Sequence, residues 1–428
     1  MEVIHPRVAG IDVHKKIVWV AVRLPGERPG ERTVTAKRFK TFWRSLRQMA
    51  AWLAELGVTD VAMESTGVYW WPVYHALAQA GIEVCVCNAA HMRNVPGRKR
   101  DIADCQWIAE LHEHGLLRPS FIPTGAVAEL RSRTRYRKKL IEQRTSEGQR
   151  LAKVLEDAGI KIDSVASRLL LKSGRAMIEA LIAGERNPGR LADLALGRLR
   201  RKTEELQLAC DGRFTAAHGQ MCRLHLDAYD HLTAKIAELD ELVAEAAAPF
   251  AALTARLETI PGIGRRTAEV IVAETGGDMA RFATAARLAA WAGLAPGDNE
   301  SAGKRKHAAA RKGNRHLRVA MVESAWATAR TRTRPGARFR RLGRRFGKGN
   351  EKKAAIAVAH TLICIAWAVL SRGQDYAEDY YEQRDRRDRE HLIRHHQQAL
   401  ARLGCQVTLI PPGDGSPPPS ATSKQPAA

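Results

Sequence analysis

The 428-residue chain is poor in cysteine and aromatic residues. Its seven cysteines are scattered, odd in number and without C-x-x-C spacing, which excludes a disulfide framework and the usual zinc motifs. No apolar run reaches the ~18 residues of a membrane helix. Residues 354–370 come nearest, but Lys352, Lys353 and His360 favour a buried helix. The N-terminus also lacks a signal peptide's apolar stretch. These absences predict a cytoplasmic protein with no membrane partner.

What the chain has in excess is positive charge. The net charge is +23 and the sequence pI is about 10.1. Residues 301–350 contain sixteen Lys or Arg and a single acid, Glu323. Apolar residues such as Leu317 and Trp326 lie within the same stretch, so a folded basic segment is predicted rather than a tail. An excess of this size predicts a polyanionic partner, nucleic acid before a membrane surface.

The first 87 residues alternate between β-like runs and helical spacing. Runs at 8–14, 17–24 and 33–39 predict three strands, and apolar spacing over 42–56 predicts a helix. Strand, helix and strand follow at 58–67, 69–80 and 82–87. This order predicts an α/β domain built on a mixed sheet.

Four acids occupy telling positions in this pattern. Asp12 and Glu64 end two of the predicted strands, and open α/β sheets bind ligands at the carboxyl ends of strands. Asp101 and Asp104 follow the turn at Pro96 and are three positions apart. In a helix they would share one face, with their Cβ atoms about 5–6 Å apart. Alternatively, that pair simply complements the dipole at a helix N-terminus.

Four carboxylates in one place repel one another unless cations lie between them. A two-metal centre uses such ligands to clamp the attacking and leaving oxygens of a phosphodiester. The four acids together therefore predict a site for Mg²⁺ or Mn²⁺.

The middle of the chain, from Val127 to about Pro249, is rich in Ala, Leu and charged residues. It predicts one long helix over 127–157 and another over 191–248, broken near Gly212. Long charged helices of this kind indicate an antiparallel or intermolecular coiled coil, or else a solvated helical spacer.

Two further motifs lie in the C-terminal part. Pro261-Gly262-Ile263-Gly264 predicts the hairpin of a helix-hairpin-helix element, in which backbone N–H groups approach a phosphate; an ordinary helix–helix turn is the alternative. Ser301 lies in a glycine-containing loop among cations, which suits a nucleophile toward phosphate. By itself it also fits a plain loop serine.

Taken together, these motifs resemble the DEDD transposases of the insertion-sequence-110 family. In the N-terminal half the matching segments are 10–13, 63–67 and 98–107. In the C-terminal half they are 261–264, 291–294, 301–304 and 312–318. The resemblance spans about residues 8–375, with the helical middle matched in character more than in residues.

The resemblance implies a RuvC-like (RNase H-type) domain over 1–125, a coiled-coil region over 126–250, and a second catalytic domain over 251–375. A charged and then disordered tail is predicted for 376–428. The resemblance also assigns metal binding to Asp12, Glu64, Asp101 and Asp104, and it assigns to Ser301 a transient phosphoserine link with DNA. Partners implied are element and target DNA, a non-coding bridge RNA, and further copies of the chain in a dimer or tetramer.

Residues predicted to bind nucleic acid are basic or glycine positions near these motifs. They are Arg98, Lys99, Arg100, Gly262, Gly264, Arg265, Arg266, Lys304, Arg305, Lys306, Arg311, Lys312, Arg315 and Arg318. Two departures concern the serine loop: Ala302 replaces a common glycine, and 308–310 are alanines. They leave Ser324 as an alternative nucleophile.

The main prediction is a DNA recombinase that moves its own insertion element. Two rival functions stay open at this point. One is a metal-dependent nuclease that hydrolyses branched DNA with water, in which Ser301 has no role. The other is a nucleic-acid-binding protein without catalysis.

Overall fold

The computed structural model describes residues 2–28, 30–65, 67–88, 101–297, 300–301, 304–305, 312–378, 390 and 393–404. Side chains of residues 101–103, 300–301 and 304–305 lie outside this description. The chain divides into two compact units, Met1–Thr124 and Gly125–Ala428. Each unit has its own core.

The first unit is built on a five-stranded mixed sheet, as the sequence predicted. Its elements are β1 (Val8–Val13), β2 (Ile17–Pro25), β3 (Arg32–Lys40), α1 (Trp43–Glu55), β4 (Asp60–Glu64), α2 (Trp70–Gln79), β5 (Glu83–Cys87) and α3 (Asp101–Glu113). The strand order is β3-β2-β1-β4-β5. β2 is antiparallel to β1 and β3, while β4 is parallel to β1 and β5.

Helices cover both faces of this sheet. On β1 the alternate residues Ala9, Ile11 and Val13 share one core with apolar residues of α1 and α2. Because successive side chains of a strand point to opposite faces, Gly10 and Asp12 belong to the other face. That face is covered by α3, which packs against β1, β2 and β4.

The described part of the second unit is mostly helical and includes a short two-stranded ribbon. Its helices are α4 (Gly125–Asp157), α5 (Ile162–Val165), α6 (Lys172–Ile182), α7 (Pro188–Asp193), α8 (Thr203–Cys210), α9 (Ala216–Ala247), α10 (Ala251–Glu258), α11 (Arg265–Thr275), α12 (Ala285–Trp291), α13 (Arg315–Thr328), α14 (Arg334–Phe346) and α15 (Glu351–Arg372). Three 3₁₀ turns lie at Gly197–Lys202, Ala248–Phe250 and Met279–Arg281, and the ribbon pairs β6 (Glu300–Ser301) with β7 (Lys304–Arg305).

The long helices α4 and α9 pack together as an antiparallel pair within the chain. Leu130, near the start of α4, shares a core with Val243, near the end of α9. Leu155, near the end of α4, shares another core with Cys222 of α9. At about 1.5 Å per residue each helix is roughly 50 Å long. Whether the pair is a true coiled coil stays a prediction.

The break predicted near Gly212 is confirmed, but the prediction of helix over the rest of 191–248 needs correction. The chain instead forms the short helices α7 and α8 with a 3₁₀ turn between them, and α9 begins only at Ala216. Gly197 has φ +59°, and a Cβ on Gly212 would lie 2.5 Å from the carbonyl oxygen of Ala158. A left-handed glycine and a tight backbone crossing interrupt a helix. Thr215 then caps α9 in a capping box with His218.

Helix α15 contains the apolar segment noted in the sequence. Among the described residues it is the one helix long and apolar enough to cross a membrane, by length and composition. Ala354, Val358, Leu362 and Val369 belong to the core of the second unit. This burial agrees with the predicted core helix. Of the predicted tail, residues 393–402 are helical, and the low-complexity stretch from Pro411 lies outside the described residues.

Candidate active site and nucleic-acid interface

Asp12 and Glu64 lie side by side at the carboxyl ends of two neighbouring strands, β1 and β4. β1 and β4 are parallel and pair Ile11 with Met63, so the next residue on each strand is one of the two acids. Both are partly buried. Oδ2 of Asp12 lies 2.9 Å from Nε2 of His14, a residue just beyond β1 that the sequence reasoning missed. Strand alternation places both acids on the face covered by α3.

Helix α3 approaches these strand ends closely because Gly10 has no side chain. A Cβ at Gly10 would lie 2.1 Å from the carbonyl oxygen of Cys105 and 2.3 Å from the nitrogen of Ala109. Such distances are far inside van der Waals contact, so a larger residue would push the helix away. The glycine therefore sets how near the first turns of α3 come to Asp12.

The Cys105 thiol reports the acids around it. Burial, together with the charges of Asp12 and Asp104, raises the pKa of Cys105 to about 11. Asp104 precedes Cys105 on α3, and the backbone of Cys105 lies against Gly10, so Asp104 is near the end of β1 that carries Asp12. Asp101 begins the same helix one turn earlier, and its side chain lies outside the described residues.

The far end of α3 is fixed by a buried ion pair. Glu113 has 1% of its side chain exposed; its Oε2 accepts a hydrogen bond at 2.9 Å from Nε of Arg23, and Arg32 pairs with its other oxygen. Removing one partner of a buried pair costs about 3–5 kcal/mol. This pair therefore helps to hold the helix that carries Asp101 and Asp104.

In the second unit, the Pro261-Gly262-Ile263-Gly264 turn connects α10 to α11. Gly262 has φ +85°, and a Cβ there would lie 2.3 Å from Cγ2 of Thr328, so this glycine packs against α13. Gly264 precedes α11, and a Cβ there meets nothing within 4 Å. Of the two glycines, only Gly264 leaves the backbone open to an approaching phosphate. The helix-hairpin-helix assignment stays a prediction.

Arg265 and Arg266, which open α11, are mostly exposed at 64% and 63% of the side chain. Arg266 donates to Oδ2 of Asp240 at 2.6 Å, and Arg265 pairs with Glu269 at 3.2 Å. Both guanidinium groups therefore have intramolecular partners and still face solvent.

The Lys312-Gly313-Asn314 motif docks against the Trp291-Ala292-Gly293 motif. A Cβ on Gly313 would lie 2.3 Å from the nitrogen of Gly293, and the Asn314 nitrogen donates to the Trp291 carbonyl at 2.9 Å. Asn314 also caps α13 by accepting from the nitrogen of Leu317 at 3.0 Å. Two motifs twenty residues apart in sequence thus form one turn, with Lys312 and Arg315 exposed beside it.

Ser301 lies on β6 and pairs with Lys304 on β7. The side chains of Ser301, Lys304 and Arg305, and all of Arg98, Lys99, Arg100, Lys306 and Arg311, lie outside the described residues. Ser324, the alternative nucleophile, is 2% exposed, and its Oγ donates to Oγ1 of Thr267 at 3.1 Å. A hydroxyl so buried and so engaged does not meet a DNA phosphate.

A buried charge network connects α4 to the Asn314 turn. Glu274 is fully buried and accepts two hydrogen bonds of 2.7 Å from Arg135, with another of 2.6 Å from Asn314. Burial alone would raise the pKa of Glu274, but the hydrogen bonds and charges of Arg135, Asn314 and Arg131 lower it overall. The carboxylate is thus held ionised.

A cavity of about 550 Å³ opens beside this network. Tyr136, which is 54% exposed, offers an aromatic ring there. The cavity lining also contains acids, and one of them, Glu323, pairs with Lys138 at 2.6 Å. The cations lining the cavity are Arg135, Lys138, Lys139, Arg266 and Arg315. Only the last two were predicted; the basic-aromatic run at 135–139 is the sequence signal that was overlooked.

Helix α14 is a second basic surface that was not singled out from the sequence. Pro335, Gly336 and Phe339 are buried on one side. The exposed positions include Arg338, Arg340, Arg341, Arg344 and Arg345. An amphipathic helix with arginines at this density suits the phosphates of nucleic acid.

Comparison with known proteins agrees with both sets of motifs. A family described as "Transposase", of the DEDD type, matches residues 9–160, and the "Transposase IS116/IS110/IS902 family" matches residues 254–340. The two matches together cover more than half of the chain. The protein is therefore a transposase of the insertion-sequence class. Within that class, the chain belongs to the IS110 family.

Individual relatives carry related names. A Sinorhizobium fredii protein named "Putative transposase y4pF/y4sB" is 25% identical over 380 residues, which is 86% of this chain and 85% of that protein. The Streptomyces coelicolor "Insertion element IS110 uncharacterized 43.6 kDa protein" is 38% identical over 122 residues, covering 28% and 29% of the two chains. Among solved structures, Thermus thermophilus RuvC matches 27% of this chain and 99% of its own, at 16% identity and a TM-score of 0.22.

Proposed function

We propose that this transposase cuts and rejoins DNA strands at a metal centre held by Asp12, Glu64, Asp101 and Asp104. The observation that carries the proposal is the pairing of β1 with β4, which sets Asp12 and Glu64 side by side at the strand ends to which α3 brings Asp104. An all-carboxylate donor set of this kind suits Mg²⁺ or Mn²⁺. When bound, the metal orients the phosphate and neutralises its charge.

The chain's own residues position that centre. Gly10 lets α3 lie against β1, and Glu113 fastens the opposite end of the helix. His14 lies within hydrogen-bond distance of Asp12, so it helps to orient this carboxylate. The RuvC-like character of this unit forms part of the proposal and is supported by its mixed sheet.

Ser301 is the proposed nucleophile. Its Oγ attacks the phosphorus, the bond from phosphorus to one bridging oxygen breaks, and the serine proton leaves while the departing oxygen gains one. A strand hydroxyl then attacks the phosphoserine and releases Ser301. Lys304 and Arg305 follow closely on the ribbon, and cations beside the serine stabilise the added negative charge.

Nucleic acid is proposed to lie along the basic surfaces of the second unit. The cavity beside Tyr136 and the exposed face of α14 offer cations and an aromatic ring, the combination that holds a phosphate backbone and stacks a base. A bridge RNA as guide, a dimer or tetramer with a composite site, and a cytoplasmic, nucleoid-associated location complete the proposal.

A covalent-trapping assay tests this function. The full chain, the non-coding RNA that flanks its element, Mg²⁺ and end-labelled junction DNA are combined and run on a denaturing gel. We expect a protein–DNA band for the natural chain, and for Ser324→Ala, which removes a buried hydroxyl. Ser301→Ala should abolish the band, and Glu64→Gln should abolish both the band and strand cleavage.

Other outcomes would contradict specific parts. Cleavage without an adduct, unchanged in Ser301→Ala, would replace the serine mechanism with hydrolysis by water. Loss of the adduct in Ser324→Ala, with Ser301→Ala active, would move the nucleophile. Normal cleavage by Glu64→Gln would overturn the metal site.

A further inference from the structure

A second group of potential metal ligands lies in the first unit, apart from the four acids. The ligand atoms of His5, Asp60 and His112 lie within 4.8 Å of one another. Asp60 begins β4, whereas Glu64 ends it, so the two groups are about 13 Å apart along the strand at about 3.3 Å per residue. The two groups therefore lie at opposite ends of β4.

We propose that His5, Asp60 and His112 bind one zinc-type transition-metal ion that fastens the N-terminal segment and the end of α3 to the sheet. Two imidazoles and one carboxylate form a nitrogen-rich donor set that suits Zn²⁺ and disfavours Mg²⁺. The inference concerns a different site from the proposed catalytic centre and does not depend on it.

The distances between the three ligand atoms fit such an ion after a small inward movement of the side chains. Nδ1 of His5 lies 3.3 Å from Oδ1 of Asp60. Zn–N and Zn–O bonds of about 2.0–2.2 Å give tetrahedral ligand pairs roughly 3.3–3.5 Å apart. That pair is therefore already at the required separation. The rings of His5 and His112 are stacked, with centroids 4.7 Å apart and planes at 16°, so the two imidazoles already lie against each other.

The three ligands are held in place by other contacts. Thr59 donates its hydroxyl to Oδ2 of Asp60 at 2.6 Å, which turns Oδ1 toward His5. The backbone nitrogen of His5 donates to the carbonyl oxygen of Glu113 at 3.0 Å, next to His112. Hydrogen bonds to a ligating carboxylate of this kind raise metal affinity by fixing its orientation.

His112 is 6% exposed and lies in the last turns of α3. Because α3 also carries Asp104 about 12 Å away, a metal here would fix the helix from its opposite end.

The test is Zn²⁺ binding by the full chain after removal of bound metals, measured by isothermal titration calorimetry in excess Mg²⁺, which fills oxygen-only sites. Co²⁺ with its visible absorption spectrum serves as a second probe. The variant is His5→Gln, which changes a partly exposed ring outside the helices and strands. The matched control is His114→Gln, whose ring contacts only the Glu2 carbonyl oxygen among the hydrogen bonds described.

We expect one tight Zn²⁺ equivalent in the natural chain and in His114→Gln. Its affinity should fall by roughly 100-fold or more in His5→Gln, and by about 10-fold in Thr59→Val, since losing a residue that only orients a ligand costs about 10–100-fold. The tetrahedral Co²⁺ spectrum should disappear with His5→Gln.

Equal Zn²⁺ affinity and stoichiometry in His5→Gln and His114→Gln would overturn the proposal and leave an ordinary His5–Asp60 ion pair. The absence of a tight Zn²⁺ equivalent in the natural chain would do the same. Neither result bears on strand cleavage, so failure here is distinct from failure of the proposed function.

Discussion

The two units place their acids in opposite settings. In the first, Asp12 and Glu64 stand together at neighbouring strand ends, partly buried. In the second, Glu274 is fully buried and surrounded by Arg131, Arg135 and Asn314. Acids grouped with other acids need a cation from outside, whereas an acid grouped with arginines is already neutralised. Acidic residues thus form the proposed metal site in the first unit and a buried ion-pair network in the second.

The cations differ in the same way. Arg23 and Arg32 of the first unit point inward to Glu113. In the second unit some arginines pair with buried acids, and others are exposed, above all along α14. The exposed arginines of α14 form one of the basic surfaces proposed to bind nucleic acid.

The largest expected effect concerns Glu274. Glu274→Gln leaves Arg131 and Arg135 without their buried partner and should lower the free energy of unfolding of the second unit by about 3–5 kcal/mol. The control is Glu323→Gln, which removes the partner of Lys138 in the same cavity; that pair is exposed, so at most about 1 kcal/mol should be lost. Urea denaturation followed by circular dichroism measures both. Equal losses would remove the distinction between structural and surface acids.

A smaller effect is expected from Gly10→Ala. The new Cβ would overlap the backbone of α3 at Cys105 and Ala109, so the first unit should lose about 1–3 kcal/mol and Asp104 should shift from Asp12. Thermal unfolding and the strand-cleavage assay measure the two consequences.

Gly343→Ala is the matching control in the second unit. A Cβ there meets nothing within 4 Å, and Gly343 lies inside α14, so alanine should be neutral or stabilise by about 0.5–1 kcal/mol. Unaltered stability and cleavage in Gly10→Ala would show that α3 does not depend on this glycine.

The smallest effect concerns the surface arginines. The double variant Arg341→Ala, Arg344→Ala should reduce the slope of log affinity against log salt by about 0.9 per lost phosphate contact on duplex DNA. Filter binding over a salt series measures it. The control is Arg198→Ala, Arg201→Ala, which removes two exposed arginines from the 3₁₀ turn at Gly197–Lys202. The same slope for both variants would mean that only total charge matters.

Much of the first unit could be predicted from local pattern. All seven elements from β1 to β5 were placed, because their apolar runs and helical spacing are strong and short-range. The break near Gly212 was predicted, but the interruption between α7 and α8 was missed, where Gly197 adopts φ +59° and the chain forms a 3₁₀ turn. The cavity cations Lys138 and Lys139 were overlooked since their helix reads as a uniformly charged face until its neighbours are known.

The sequence by itself determined the family and the mixed sheet, since ordered motifs and strand patterns are properties of the chain, and it supplied the residues that are proposed for catalysis. Tertiary structure decided which of those residues meet. Only the parallel register sets Asp12 beside Glu64, and only packing shows Ser324 to be buried. It also brought His5, Asp60 and His112 together from three separate segments. Distances between residues far apart in sequence depend on tertiary packing, and packing results from long-range contacts that a local sequence pattern does not encode.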